Sequence, residues 1–243
     1  QLSATAMTRF LRSLLFLVWF VALSPAMTIL FLPLFVLPRA STAWMGHHWF
    51  RLTLWGLRFF AATGFTVRGE IPHGGVLVAA KHMSMWDTLA LYLLLGDPAM
   101  ILKRSLFWVP FFGWYAWKAG GIGIDRHGGA HALRAMLRAA EHALAQGRSV
   151  VIFPEGSRRR PGAPPEYKPG VAGLYGLLGE VCVPVAHNSG LFWNGFWKSP
   201  GTIALEFLPP IPAGLERDAF MGLLEERIET ATGRLLAEGR AQF

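Results

Sequence analysis

The chain has 243 residues, of which 53% are apolar and only 16% are charged, a larger apolar share than an average soluble domain has. This length suits one sizeable α/β domain with an N-terminal appendage, and the apolar excess favours contact with lipid. The net charge of +8 favours an anionic partner, but no long Lys/Arg tract or usual nucleic-acid motif is present. The single cysteine, Cys182, excludes an intrachain disulfide and a cysteine-based metal site.

Residues 13–38 carry no charge and are flanked by arginines on both sides. A helix of this length and composition can span a bilayer, but Pro25, Pro33 and Pro38 interrupt it. The sequence therefore allows two arrangements, a bent pair of short helices embedded in one leaflet, with a break at Pro25, or a kinked single span. A cleaved signal peptide is a third alternative, which the lack of a clear small-residue cleavage site disfavours.

Residues 44–64 interleave tryptophans with histidines and arginines. This pattern fits a helix at the level of lipid headgroups, or a core helix that buries its tryptophans. We assign residues 1–64 to an N-terminal membrane-anchoring helical segment and residues 65–243 to an α/β catalytic domain.

After residue 67 the pattern changes to alternating strands and helices. We predict strands at residues 76–80, 99–102, 121–124, 149–153, 181–186 and 202–207, and helices at residues 86–95, 130–145, 171–178 and 217–237. This order predicts a mostly parallel central sheet with helices on both faces. In such sheets, functional residues collect at the carboxyl ends of the strands.

Two segments that follow predicted strands carry side chains suited to chemistry. His82 and Asp87 follow the first strand, and an imidazole oriented by a carboxylate can take a proton from a hydroxyl. In the turn after residue 153, Arg158 offers a bidentate fork for phosphate, Gly156 allows close approach of backbone N–H groups, and Ser157 adds a donor. Neither signal is diagnostic alone.

Four motifs occur together in a fixed order. They are H-x4-D at residues 82–87, G-x-I-x-I-D-R ending at Arg126, F-P-E-G-S-R at residues 153–158 and the apolar V-P-V at residues 183–185. In this order they resemble the glycerolipid acyltransferase family, and within it the bacterial 1-acyl-glycerol-3-phosphate acyltransferase branch. The resemblance implies a glycerol-3-phosphate acyltransferase-like fold and acyl transfer from a thioester to the sn-2 hydroxyl of 1-acyl-sn-glycerol-3-phosphate, giving phosphatidic acid.

The resemblance also implies roles for residues at the reacting groups. His82 would be the general base that deprotonates the acceptor hydroxyl, and Asp87 would orient its imidazole. Lys103 is a candidate for stabilising the tetrahedral oxyanion.

The remaining implied roles concern the acceptor phosphate. Arg126 and Arg158 would clamp it, with Gly156 and Ser157 in support. Glu155 would be repelled by phosphate, so its expected role is to position Arg158 or the glycerol hydroxyls.

We expect acyl-CoA or acyl carrier protein (ACP) thioester as co-substrate, with no cofactor, metal or nucleic acid, and a location at the cytoplasmic face of the inner membrane. Two alternatives stay open. One is the same chemistry on another lysolipid, such as a lyso-ornithine lipid or another lysophospholipid. The other is a non-enzymatic basic protein that binds membranes or nucleic acid.

Overall fold

A computed structural model describes residues 4–110, 112–125 and 129–243. Within these ranges the helices are α1 (Ala4–Leu30), α2 (Arg39–Ala61), α3 (Met85–Leu94), α4 (Phe112–Lys118), α5 (Gly129–Ala145), α6 (Gly170–Leu178), α7 (Ser189–Phe192) and α8 (Arg217–Arg240). The strands are β1 (Thr63–Arg68), β2 (Leu77–Ala80), β3 (Ala99–Lys103), β4 (Ile122–Ile124), β5 (Val150–Ile152), β6 (Cys182–His187), β7 (Trp193–Asn194), β8 (Trp197–Lys198) and β9 (Gly201–Phe207). Short 3-10 helices occupy Leu32–Val36 and Arg104–Trp108.

The described strands form a seven-stranded sheet in the order β1-β9-β6-β2-β5-β3-β4, with β7 and β8 as a separate hairpin. The five strands from β6 to β4 are parallel to their neighbours. Strand β9 pairs antiparallel with β6, and β1 pairs parallel with β9. The predicted mostly parallel α/β fold is therefore confirmed, with two strands of opposite direction added at one side.

Strand β2 lies at the centre of this sheet, and its residues Leu77 to Ala80 are completely buried. Such a continuous apolar strand is expected where helices cover both faces of a sheet. Alternate side chains of β2 enter different cores: Val78 packs in the cluster that contains Trp86 of α3, and Leu77 packs in the cluster that contains Phe220 of α8. The polar residues that follow β2 are thereby held at a fixed place.

Helix α1 continues through Pro25, so the expectation that this proline ends the first helix is wrong. Proline lacks an N–H donor, but the hydroxyls of Ser24 and Thr28 donate to the carbonyls four residues earlier, at 2.7 and 2.8 Å. These bonds do not replace the one lost at Pro25, and the packing of α1 against α2 is what holds the helix together across the proline. The chain instead reverses at residues 31–38, and α1 and α2 form a helical hairpin.

The hairpin packs tightly on itself and on the sheet. A Cβ atom at Gly56 would lie only 2.2 Å from the indole of Trp19, so glycine permits the close approach of α1 and α2. Near one end of α1, the Lys198 N–H donates to Ser13 Oγ at 2.9 Å. Near its other end, the Tyr115 hydroxyl donates to the Thr28 carbonyl at 3.0 Å.

Helix α2 combines the two alternatives considered for its tryptophans. Trp44 and Trp55 are about half exposed, whereas Trp49 packs against the core cluster shared by α2, α3 and β2. Helix α2 ends at Ala61, so the predicted boundary at residue 64 falls inside β1. The division into two domains stays a prediction.

Candidate active site

The segment between β2 and α3 is shaped by the start of the helix. Ser84 is the N-cap of α3, and its Oγ accepts from the Trp86 N–H at 3.1 Å. Asp87 occupies the third helical position, and its carboxylate accepts from the Ser84 N–H at 3.0 Å. This reciprocal capping box fixes where Asp87 points. The five-residue spacing from His82 to Asp87 therefore corresponds to one strand end, a short turn and a capped helix.

His82 and Asp87 are directly hydrogen-bonded. His82 Nδ1 lies 2.9 Å from Asp87 Oδ2, and the Met83 N–H donates to the same oxygen at 2.8 Å. Burial of Asp87 tends to raise the pKa of its carboxyl, but the nearby N–H dipole of His187 and the hydrogen bonds from His82 and Ser84 outweigh this effect. The pKa of Asp87 is therefore well below its ordinary value, and the carboxylate is ionised.

One face of the His82 ring packs against another side chain, and the edge of the ring is accessible. It stacks on Phe153, with the ring centres 4.0 Å apart, and 14% of the side chain is exposed. Donation by Nδ1–H to Asp87 leaves the lone pair on Nε2, which has no hydrogen-bond partner among the described residues. The pair has the geometry of a general base, and the catalytic roles of His82 and Asp87 stay predictions.

The turn after β5 lies beside this pair. The Arg159 N–H donates to the His82 carbonyl at 2.8 Å, and the Gly156 N–H donates to the Phe153 carbonyl at 2.9 Å. Gly156 has a φ of 67°, a conformation that favours glycine. Ser157 and Arg158 are exposed at the tip of this turn. The structure thus brings the predicted phosphate-binding turn next to the backbone of His82.

Glu155 points away from the exposed tip. It is 1% exposed, and its Oε1 accepts from Lys81 Nζ at 2.9 Å. The same ammonium lies 2.8 Å from Glu229 of α8, which also accepts from the Tyr167 hydroxyl at 2.9 Å. Burial raises the pKa of Glu155, and the hydrogen bond from Lys81 opposes that rise. In the structure the partner of Glu155 is Lys81 rather than Arg158, and a substrate contact by Glu155 stays a prediction.

One predicted residue, Lys103, lies apart from the His82–Asp87 pair. Lys103 ends β3 and is exposed, and β5 separates β3 from β2, which places their backbones about 10 Å apart. Arg126 lies outside the described residues. Both roles stay predictions.

Comparisons with known proteins agree with this architecture. The acyltransferase family model matches residues 64–188. Over 208 residues, the chain is 33% identical to the 1-acyl-sn-glycerol-3-phosphate acyltransferase of Pseudomonas aeruginosa, covering 84% of this chain and 81% of the relative. The chain belongs to the acyltransferase family.

Two further relatives extend the comparison. This acyltransferase is 30% identical over 178 residues to the human 1-acyl-sn-glycerol-3-phosphate acyltransferase alpha, covering 69% of this chain and 62% of the relative. The crystal structure of the 1-acyl-sn-glycerophosphate acyltransferase from Thermotoga maritima shares the fold, with a TM-score of 0.74 at 20% identity. That match covers 93% of this chain and 98% of the other.

Several buried groups at the site of this acyltransferase were not predicted from the sequence. Lys81 directly precedes His82 in the chain, so the sequence alone could have placed it near the site. Ser189 and His187 lie a hundred or more residues from Asp87 in the chain and reach it only through the pairing of β2 with β6. No local spacing indicates such a contact.

An apolar cavity of about 310 Å³ lies between the helical hairpin and the sheet. Its walls come from α1, α2, α3, β3 and α4, and include Trp49, Tyr92 and Met100. Thr88, the residue after Asp87, also lines it. The cavity therefore contacts the first turn of the helix that carries Asp87.

Lys81→Met should destabilise the fold, because methionine is similar in length but leaves Glu155 and Glu229 without their cation. Removing one partner from a buried ion pair costs about 3 kcal/mol or more. We expect a loss of this size in the free energy of unfolding, measured by urea titration in mild detergent. Adding Glu155→Gln to Lys81→Met should recover part of it.

The matched control is Lys168→Met, because Lys168 is half exposed and pairs with Glu166 at the surface. This change should cost less than about 1 kcal/mol. Equal stability of Lys81→Met and Lys168→Met would contradict a structural role for the buried ion pairs.

Proposed function

We propose that this acyltransferase moves a fatty acyl group from a thioester to the sn-2 hydroxyl of 1-acyl-sn-glycerol-3-phosphate, giving phosphatidic acid. The observation that carries the proposal is the hydrogen-bonded His82–Asp87 pair, with an open Nε2, beside the 153–158 turn. The names of the relatives in Pseudomonas aeruginosa and human support this acceptor.

The reaction balances without a covalent enzyme intermediate. His82 Nε2 takes the hydroxyl proton while the acceptor oxygen forms a bond to the thioester carbonyl carbon. The tetrahedral intermediate then collapses, the C–S bond breaks, and the imidazolium returns its proton to the departing sulfur. The ionised Asp87 stabilises the imidazolium between these two steps. Stabilisation of the intermediate's oxyanion by Lys103 is part of the proposal.

The phosphate of the acceptor is assigned to the exposed turn. Arg158 provides a charged fork, and Ser157 with the backbone at Gly156 adds neutral donors. Arg126 completes the proposed clamp from the segment after β4. Glu155 supports the turn from within through Lys81. A lyso-ornithine acceptor, which lacks phosphate, would not need this clamp, so the acceptor can be tested separately.

The donor is either acyl-CoA or acyl-ACP, and the thioester supplies all the chemistry that the transfer needs. We therefore propose that neither a cofactor nor a metal takes part. The apolar cavity is suited to a fatty acyl chain because its lining is almost entirely apolar and includes Thr88, the neighbour of Asp87 in the chain.

We propose that the helical hairpin lies in one leaflet of the membrane. Residues 5–30 are long and apolar enough to cross a bilayer, by length and composition. However, both ends of α1 contact the catalytic domain, through Ser13 at one end and Thr28 at the other. A spanning α1 would carry one end away from these partners. The exposed tip, where Val36 is 87% exposed, then inserts from the cytoplasmic side, where CoA and ACP thioesters are available.

His82→Ala should lower acyl transfer to 1-acyl-sn-glycerol-3-phosphate by about a thousandfold, because it removes the base. Arg158→Ala should raise KM for this acceptor by about tenfold or more through loss of a charge-assisted hydrogen bond. Initial rates with purified protein, measured separately with acyl-CoA and acyl-ACP, test both changes and identify the donor.

Arg160→Ala is the matched control, since Arg160 is exposed in the same basic run. It should change KM by less than about threefold. Full activity of His82→Ala would refute the mechanism. Activity of the wild type on a lyso-ornithine lipid alone would refute the acceptor and the phosphate clamp while leaving the base intact.

Gly46→Leu should shift the donor preference towards shorter chains. A Cβ at residue 46 meets Tyr92 at an ordinary 3.7 Å, so a larger side chain there projects towards the cavity without a backbone clash. We expect the ratio of palmitoyl to octanoyl transfer to fall by about tenfold. Gly222→Leu, on an open face of α8, should leave the ratio unchanged. An unchanged ratio in Gly46→Leu would show that the acyl chain of the donor does not bind in this cavity.

Val36→Glu should weaken binding to vesicles of phosphatidylglycerol and phosphatidylcholine by about tenfold in a flotation assay, because a carboxylate resists insertion. Leu177→Glu is the control, since Leu177 is 55% exposed on α6, away from the hairpin. Equal effects of the two changes would argue against insertion of the hairpin tip.

A further inference from the structure

Asp87 is held from a second side by α7. Ser189 is completely buried, and its Oγ lies 3.0 Å from Asp87 Oδ1 and 2.8 Å from Ser84 Oγ. Ser84 Oγ itself lies 2.6 Å from Asp87 Oδ1. Two hydroxyl protons are thus available to three mutually close oxygens, of which only the carboxylate must accept. Both hydroxyls lie within donating distance of Oδ1, and the other oxygen, Oδ2, accepts from His82 Nδ1 and the Met83 N–H.

His187 lies on the Oδ2 side and is also completely buried. Its Nε2 donates to the Lys81 carbonyl at 2.7 Å and lies 3.5 Å from Asp87 Oδ2, while its Nδ1 accepts from the Ser189 N–H at 3.4 Å. These partners fix the Nε2–H tautomer. Burial lowers the pKa of His187, so the ring is neutral at neutral pH.

The neutral state of His187 determines which group compensates the charge of Asp87. The ionisable groups near its ring are Asp87, His82 and Lys81, and the ammonium of Lys81 is already paired with Glu155. A protonated His187 would compensate the charge of Asp87 in place of the His82 imidazolium. The neutral ring instead presents one N–H dipole and leaves the negative charge of Asp87 available to His82.

We propose that Ser189 and His187 are positioning residues for the acyl transfer. Ser189 holds Oδ1 so that Oδ2 faces His82 Nδ1, and His187 fixes the strand end through the Lys81 carbonyl, the residue before His82. This inference rests on the proposed base role of His82. It extends the catalytic arrangement from the H-x4-D segment to the end of β6 and the start of α7.

The arrangement predicts a change in pH dependence and not only in rate. Loss of the Ser189 hydroxyl removes one donor from Asp87, which leaves the carboxylate more basic and better able to stabilise protonated His82. Since the transfer needs unprotonated His82, the acidic limb of the pH–kcat profile should move to higher pH. The KM for the acceptor should change by less than about twofold.

The experiment compares Ser189→Ala with Ser149→Ala in the full chain. Ser149 is a buried serine whose Oγ donates to the Gly74 carbonyl at 2.8 Å, at the opposite end of the sheet. Ser189→Ala should lower kcat at neutral pH by about tenfold and move the acidic limb by about half a pH unit. Ser149→Ala should lower the Tm without either effect, and Ser189→Thr should recover most of kcat.

The same assay distinguishes a hydrogen-bond donor at residue 187 from a side chain that only fills the same volume. His187→Gln keeps an N–H for the Lys81 carbonyl and should retain kcat within about threefold, whereas His187→Met should lose about tenfold. A Ser189→Ala protein with a wild-type kcat and pH profile would overturn the inference, even if its Tm falls. Wild-type activity of His82→Ala would instead overturn the proposed mechanism, so the two failures are distinguishable.

Discussion

The structure depends on keeping an ionised carboxylate, Asp87, in the interior. Burying an unpaired charge costs several kcal/mol, so the fold must supply donors. It does so from the backbone N–H groups of Met83 and Ser84, from the hydroxyls of Ser84 and Ser189, and from His82 Nδ1. The N-terminus of α3 adds a favourable dipole. One side chain thereby joins the end of β2, the start of α3 and the β6–α7 connection, and it can remain charged without solvent.

Lys81 plays the complementary part on the other side of His82. Its N–H donates to the Val185 carbonyl at 3.0 Å, its carbonyl accepts from His187, and its ammonium bridges Glu155 and Glu229. The residue before the proposed base is therefore fixed through both backbone groups and its side chain. Because Glu155 belongs to the turn proposed to bind phosphate, the same lysine sets the position of the proposed base relative to that turn.

The sequence predicted those features whose causes are local. The apolar run at residues 76–80 and the amphipathic pattern of α5 gave nearly correct elements, and the His82–Asp87 contact followed from a spacing that a helix cap enforces. Strand β1 was missed because it is mostly exposed and has no apolar run. Of the two arrangements considered for residues 13–38, the one with a break at Pro25 is wrong, because packing against α2 holds the helix together there. Ser189 could not be predicted, since its contact arises from strand pairing across the sheet.

Under the proposed function, the helical hairpin links the membrane to the site through α3. Its outer surface is apolar, while its inner surface forms walls of the cavity that Thr88, the residue after Asp87, also lines. Under the proposed function, an acyl chain in this cavity lies between the leaflet and the catalytic pair, and the polar turn at Arg158 stays on the exposed side. A lysolipid can then present its hydroxyl to His82 while its own chain remains in lipid. In the proposed arrangement Ser13 and Thr28 of α1 keep their contacts with the domain, which contact with one leaflet allows and passage through both leaflets does not.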